Sequence, residues 1–174
     1  MSRTVQINRS ALFASLAAFL VFTDTGAIGI RASEAAHQVP QDTLITLERT
    51  PCYGTCPSYK LTISADGSVL FEGRRFVKKV GTVQSTISQA GLRELIERFE
   101  KINYFDLRDR YEEAGDGCKD WSTDGPSAIS SITTNGKSKS VRHYYGCRGI
   151  DVLAELTELE QAIDDAVNAA QWIR

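Results

Sequence analysis

Apolar and polar positions alternate in two regimes along this chain. Between residues 44 and 83 the period is two. Residues 44–49 read as a first strand, and Tyr59, Leu61 and Ile63 then alternate with Lys60, Thr62 and Ser64, the pattern of a half-buried strand. Val69 and Phe71 continue it, alternating with Leu70 and Glu72. Register selects the turn between them. A two-residue Asp66-Gly67 loop would pair Leu61 with Glu72 and mix the faces. A three-residue Ala65-Asp66-Gly67 loop pairs Ile63 with Val69 and Leu61 with Phe71, with Gly67 left-handed, as in a type I turn closed by a G1 bulge. A third strand is expected over 76–83.

The period then lengthens. Leu92, Leu95, Ile96, Phe99 and Ile102 share one helical stripe, with Glu94, Glu97, Arg98 and Lys101 opposite. Ser88 is the expected N-cap, and Ile87 and Leu92 stand where a hydrophobic staple needs them. Residues 103–126 are irregular. Residues 128–134 and 139–145 flank Asn135-Gly136, a strong short hairpin signal. A second helix follows, with Asp151 as expected N-cap and Val152, Leu156, Leu159, Ile163, Ala166 and Ala170 on its apolar side. Glu155, Glu158, Glu160, Asp164 and Asp165 are assigned to its solvated side, and Trp172 and Ile173 to anchoring the end. This order predicts an α+β fold, a mainly antiparallel sheet with two helices packed on one face as a two-layer sandwich.

Four cysteines punctuate the pattern. Cys52 and Cys56 lie in Thr50-Pro51-Cys52-Tyr53-Gly54-Thr55-Cys56-Pro57-Ser58-Tyr59. The flanking prolines disfavour a helix there, and Gly54 permits a tight reversal. Four cysteines allow three pairings. We favour Cys52–Cys56 with Cys118–Cys147, the second pinning the long irregular loop to a strand end. Two other readings of Cys52 and Cys56 stand beside the structural one. They could form a redox dithiol, although the usual spacing is one residue shorter, or half of a zinc site, although Cys118 and Cys147 form no second knuckle.

The first motif, with Ala65-Asp66-Gly67-Ser68-Val69, Phe71-Glu72-Gly73, Thr123-Asp124-Gly125-Pro126, Gly136-Lys137 and Tyr144-Tyr145-Gly146, resembles an uncharacterised family of exported bacterial domains of unknown function. That family carries a T-P-C-[FY]-G-x-C-P-x-Y signature. The resemblance spans about residues 44–173 and implies secretion and a single domain. It brings no catalytic residues.

Residues 1–36 read as a secretory signal. Arg3 and Arg9 precede a 12-residue apolar run at 11–22, shorter than the roughly 20 residues of a membrane span. Small-residue cleavage sites lie at 26–27 and 32–36, and a retained signal anchor is the competing reading. Residues 37–43 are then a short linker and 44–174 the domain. The expected location is periplasmic or secreted from a bacterium, which suits disulfides, with no membrane span once the signal is removed. From residue 38 onward, 17 basic residues stand against 20 acidic, a net charge of −3. That argues against nucleic acid as a partner. The Arg74, Arg75, Lys78, Lys79 cluster reads as a solvated or lysine-protected edge, with an anionic partner such as a membrane surface or glycan as the alternative.

No phosphate loop, zinc-protease motif, nucleophile elbow or internal repeat is present. The leading functional reading is therefore a non-catalytic binding or structural module of the bacterial envelope, needing no cofactor or metal. Its partner would be an envelope protein or cell-wall component, and Tyr53, Trp121 and His143 are the candidate contact residues. The alternatives are a thiol–disulfide protein using Cys52 and Cys56, and a hydrolase taking its acids from the 109–124 loop. Calcium in that loop lacks the EF-hand ligand spacing.

Overall fold

The structure, a computed structural model, describes residues 38–174. The signal expected over 1–36 lies outside these residues. Residues 38–43 pack onto the domain: Val39 and Thr43 are buried. The Asp42 carboxylate accepts from the backbone N–H of Asn135 at 3.0 Å and of Gly136 at 2.6 Å.

The first two strands, β1 (Leu44–Arg49) and β2 (Ser58–Ser64), pair antiparallel, and β2 continues into β3 (Ser68–Arg75). Ile63 faces Val69 and Leu61 faces Phe71, with Gly67 at φ 84°, as the three-residue turn requires. The strand expected over 76–83 is instead a five-residue loop followed by β4 (Gly81–Thr86). Phe76 adopts φ 53°, outside strand geometry, and Val77 turns inward. The Lys79 N–H donates to the Trp172 carbonyl at 2.9 Å.

Ser88 caps α1 (Gln89–Lys101), its hydroxyl accepting from Gly91 N–H at 3.1 Å, and Leu92, Leu95 and Phe99 are buried beneath the helix. Two single turns of 3₁₀ helix and the short strands β5 (Arg110–Tyr111) and β6 (Asp120–Trp121) occupy the irregular stretch. The expected hairpin forms between β7 (Ser127–Thr134) and β8 (Lys137–Tyr144). Asn135 and Gly136 both have positive φ, as a type I′ turn needs. β9 (Cys147–Arg148) pairs with β6.

The main sheet has the order β4-β3-β2-β1-β7-β8-β5. Every pairing is antiparallel except the parallel join of β5 to β8. One sheet face is closed by α1 and α2 (Val152–Ala166), giving the expected two-layer α+β architecture.

The second helix differs from expectation in three respects. Asp151 has helical backbone angles and its side chain caps nothing. Ala166 and Ala170 are exposed, while Leu153 and Val167 complete the buried stripe. Glu160 and Asp164, assigned to the solvated side, are buried. Asn168 at φ 52° ends the helical run, and α3 (Ala170–Ile173) turns Trp172 onto Phe71 with ring centroids 5.0 Å apart. Among the described residues no helix is long and apolar enough to cross a membrane.

Candidate functional site

The inward-facing positions of the sheet turn polar at one end. Alternation carries β1 from Ile45 and Leu47 to Arg49, and β2 from Ile63 and Leu61 to Tyr59. In β8 the same step runs from Val141 to His143, with Tyr145 next along the chain. The register aligns Tyr59, Arg49, Ala128 and His143 in one row across four strands. Glu160 and Asp164, one helical turn apart on α2, cover that row.

The six side chains form one hydrogen-bonded chain. The His143 Nδ1 lies 3.1 Å from Glu160 Oε1, and the Tyr145 hydroxyl donates to Glu160 Oε2 at 2.5 Å. Arg49 donates to the Tyr145 hydroxyl and, at 2.8 Å, to Asp164 Oδ2. The Tyr59 hydroxyl donates to Asp164 Oδ1 at 2.7 Å. The guanidinium also lies 3.6 Å from Glu160 and 5.7 Å from the Tyr145 ring centroid.

Burial disfavours the charge on Arg49, but Asp164 together with Tyr145 and Tyr59 outweighs it and holds the guanidinium ionised. Burial pushes the Asp164 carboxyl above its ordinary value, against the pull of Arg49 and the Tyr59 hydroxyl. It also pushes the Tyr59 phenol up, helped by Asp164, and the Tyr145 phenol up, helped by Glu160. The network opens on a cleft of about 480 Å³, walled by Cys56, Pro57, Pro126, Gln161 and Ile173. Chemically it fastens α2 to the sheet through one paired cation and two carboxylates.

The second feature is a rim built by the two disulfides. Cys52–Cys56 and Cys118–Cys147 are both formed, as favoured from the sequence. Their sulfurs are therefore joined rather than available as zinc-binding thiolates. The first bridge is half-covered and the second buried. The Tyr53 N–H donates to the Asp124 carbonyl at 3.1 Å, docking the small loop on the long one. The long loop is fixed in turn. Trp121 pairs with Cys147, Ser122 N–H donates to Gly146 O at 3.0 Å, and the Tyr144 hydroxyl bridges Ser122 O and Gly125 N–H. Gly146 is required there, because a Cβ would overlap the Ser122 carbonyl oxygen and the Tyr144 ring.

The structure thus brings Tyr53 and Trp121 onto adjoining loops and leaves them 91% and 53% exposed. Beside them runs a groove lined by Pro51, Arg110, Glu112, Trp121, Asp124 and Arg142. His143, the third candidate, is 3% exposed and belongs to the interior network instead.

The acids of the 109–124 loop are largely neutralised by cations. Asp109 pairs with Lys139, Glu112 with Arg142, Glu113 and Asp116 with Arg110, and Asp120 with Arg148. Burial opposes ionisation of Asp116. The Glu112 N–H and Arg110 outweigh it and hold the carboxyl below its ordinary value, opposite to the raised acid that the hydrolase reading needs. Among the described residues no three His, Cys, Asp or Glu side chains are grouped to hold a metal ion.

Sequence reasoning missed Arg49, Tyr59, Tyr145, Glu160 and Asp164 as a group. The signal was present: two acids one turn apart on the leucine stripe, and Arg49, Tyr59 and Tyr145 in phase with buried strand positions.

A search among curated proteins gives no match. Residues 43–167, nearly the whole described domain, match one family, and on that match the chain belongs to the family described as Domain of unknown function (DUF6438).

Proposed function

We propose that this chain is a non-catalytic binding module of the bacterial envelope that works in an oxidising compartment and captures its partner on the Tyr53–Trp121 rim. The observation that carries this reading is the placement of two exposed aromatic residues on loops each closed by a disulfide. Exposed tyrosine and tryptophan side chains supply contact area with few torsions to immobilise. The staples remove most of the remaining ordering cost. Two formed bridges fit an oxidising compartment. The expected partner is an envelope protein or a cell-wall component.

The test uses exported protein and two immobilised probes, purified cell-wall sacculi and detergent-extracted envelope proteins. Trp121→Ala with Tyr53→Ser should lower retention on one probe at least about 10-fold, the loss of about 1.4 kcal/mol expected of a modest hot spot. Thermal unfolding should stay unchanged, since both side chains are exposed. Equal retention of the wild type and the double variant on both probes would sink the reading.

A further inference from the structure

The loop between β3 and β4 is built unlike the rest of the surface. Phe76 and Val80 are 45% and 73% exposed, while the aromatic and aliphatic side chains of the sheet's inner face are covered. Four cations flank them along the chain, Arg74, Arg75, Lys78 and Lys79, and no acid occurs in sequence between Glu72 and Glu94. Arg74 is paired with Glu48 at 2.5 Å, which leaves Arg75, Lys78 and Lys79 for a partner. Since residues 38–174 carry a net charge of −3, everything outside these four cations carries −7. The loop is therefore a cationic, apolar-tipped element on a domain whose remaining residues are net acidic.

The loop is also held in shape. Val77 packs against the core, Lys79 N–H is bonded to Trp172 O, and a Cβ at Gly73 would overlap the Lys79 carbonyl oxygen. Phe76 sits in the left-handed region at φ 53°, a costly conformation for a bulky residue. That conformation is compatible with an outward ring, and the Arg75 guanidinium carbon lies 5.3 Å from the ring centroid. Cation and apolar ring are thus delivered to the same spot.

We propose that this loop docks the protein on an anionic lipid bilayer. Phe76 and Val80 enter the boundary between headgroups and acyl chains, and Arg75, Lys78 and Lys79 lie against lipid phosphates. Charge selects this occupant. A polybasic element gains affinity from each cation near an anionic surface, about five-fold per residue, and a shallow apolar tip adds a second anchoring signal. The proposal is independent of the Tyr53–Trp121 rim.

The experiment sediments the exported chain with vesicles of phosphatidylcholine alone or with about one-third phosphatidylglycerol, at roughly 50 mM salt. The readout is the excess binding to the anionic vesicles, which separates the loop from any apolar residues near the N-terminus. Wild-type protein should show a clear excess that disappears at roughly 500 mM salt. Lys78→Glu with Lys79→Glu should reduce it by about 25-fold or more. Phe76→Asn with Val80→Thr should reduce it about 10-fold, while thermal stability holds or rises because asparagine tolerates positive φ. No excess in the wild type, or an equal excess in both variants, would overturn the proposal. So would a salt-sensitive dimer that the charge-reversal variant abolishes in the absence of lipid, because the loop would then serve the acidic surface of a second copy.

Discussion

The β1–β2–β8–α2 network and the 109–124 loop use the same residue types to opposite ends. In the network, Arg49, Glu160 and Asp164 are withdrawn from water and every charge has a partner on another element. In the loop, the Arg148–Asp120 pair has both side chains more than half exposed, and the segment is held by the Cys118–Cys147 bridge together with short backbone pairings to β8 and β9. The difference teaches where charge matters to this fold. A desolvated ion pair is costly to break on one side because the survivor is stranded, whereas a solvated pair loses little.

The widest break between the two regions should come from pH. Tyr59 and Tyr145 in the network, and Tyr104 under α1 with its hydroxyl on Ser130 O at 2.8 Å, all have phenols pushed above the ordinary value of 10 by burial first. A raised folded-state value means that the neutral phenol is favoured by folding. The stabilisation is fully present below pH 10 and is lost as pH rises through the folded-state values. The part of the absorbance rise near 295 nm that comes from these three phenols should therefore coincide with the change in far-ultraviolet circular dichroism in alkali. Phenol ionisation of all three at intact ellipticity would contradict the burial argument. Asp116 has the reverse sign. Its lowered value contributes stability above the unfolded-state carboxylate value, and that is lost as pH falls through the folded-state one. Acid should thus loosen the loop end, visible as faster amide exchange at Glu112, whose N–H donates to Asp116 at 3.1 Å.

Next in size is Arg49→Leu. It strands Asp164 and Glu160 in the interior, and the expected loss is about 3–5 kcal/mol in urea unfolding. Adding Asp164→Leu should recover part of it, because the pair then leaves one buried charge fewer. A single-variant loss below about 1 kcal/mol would show that water reaches the network.

The two disulfides rank below that. On the chain-entropy view, serine at Cys118 and Cys147, 29 residues apart, costs about 3–4 kcal/mol, and the same change at Cys52 and Cys56 about 2 kcal/mol. Stability measured with and without reductant checks the ranking. The short bridge also bears on the redox alternative. Thiols trapped at lysis should show it oxidised in nearly all molecules if it is a staple, and a large reduced fraction would favour thiol chemistry.

The ease of reading differed between these regions for a physical reason. Strand register, the Gly67 and Asn135-Gly136 turns and the Ser88 cap are local, set by residues within one or two turns of each other, and they were legible. The Phe76–Val80 loop was misjudged because its apolar and basic residues suit a strand. Its course is decided by Val77 entering the core and by a bond to Trp172, far away in sequence. Glu160 and Asp164 were misplaced because an acid on a helix is normally solvated. Their burial depends on Arg49, more than 100 residues earlier, meeting them across the sheet. Trp121 and Tyr53 were legible as exposed residues, but their convergence needed the Tyr53–Asp124 backbone bond.

The smallest effect sharpens the comparison most. Asp120→Asn removes the carboxylate that faces Arg148 Nε at 3.7 Å, with side chains 73% and 59% exposed. Water replaces the lost partner on both sides, so the expected change in unfolding free energy is within about 0.5 kcal/mol. Glu160→Gln changes the same kind of atom in the same way, yet it alters the group that accepts from Tyr145 and faces His143, at full burial. The amide keeps one acceptor oxygen, so its N–H groups must face either the Tyr145 hydroxyl, which then loses its acceptor, or His143 Nδ1, which must then be the accepting nitrogen; the expected cost is about 1–3 kcal/mol. Measured side by side in urea, the two conservative changes isolate burial from charge. Equal losses would mean that the network gains nothing from being dry, and that the position of α2 rests on its leucine stripe alone.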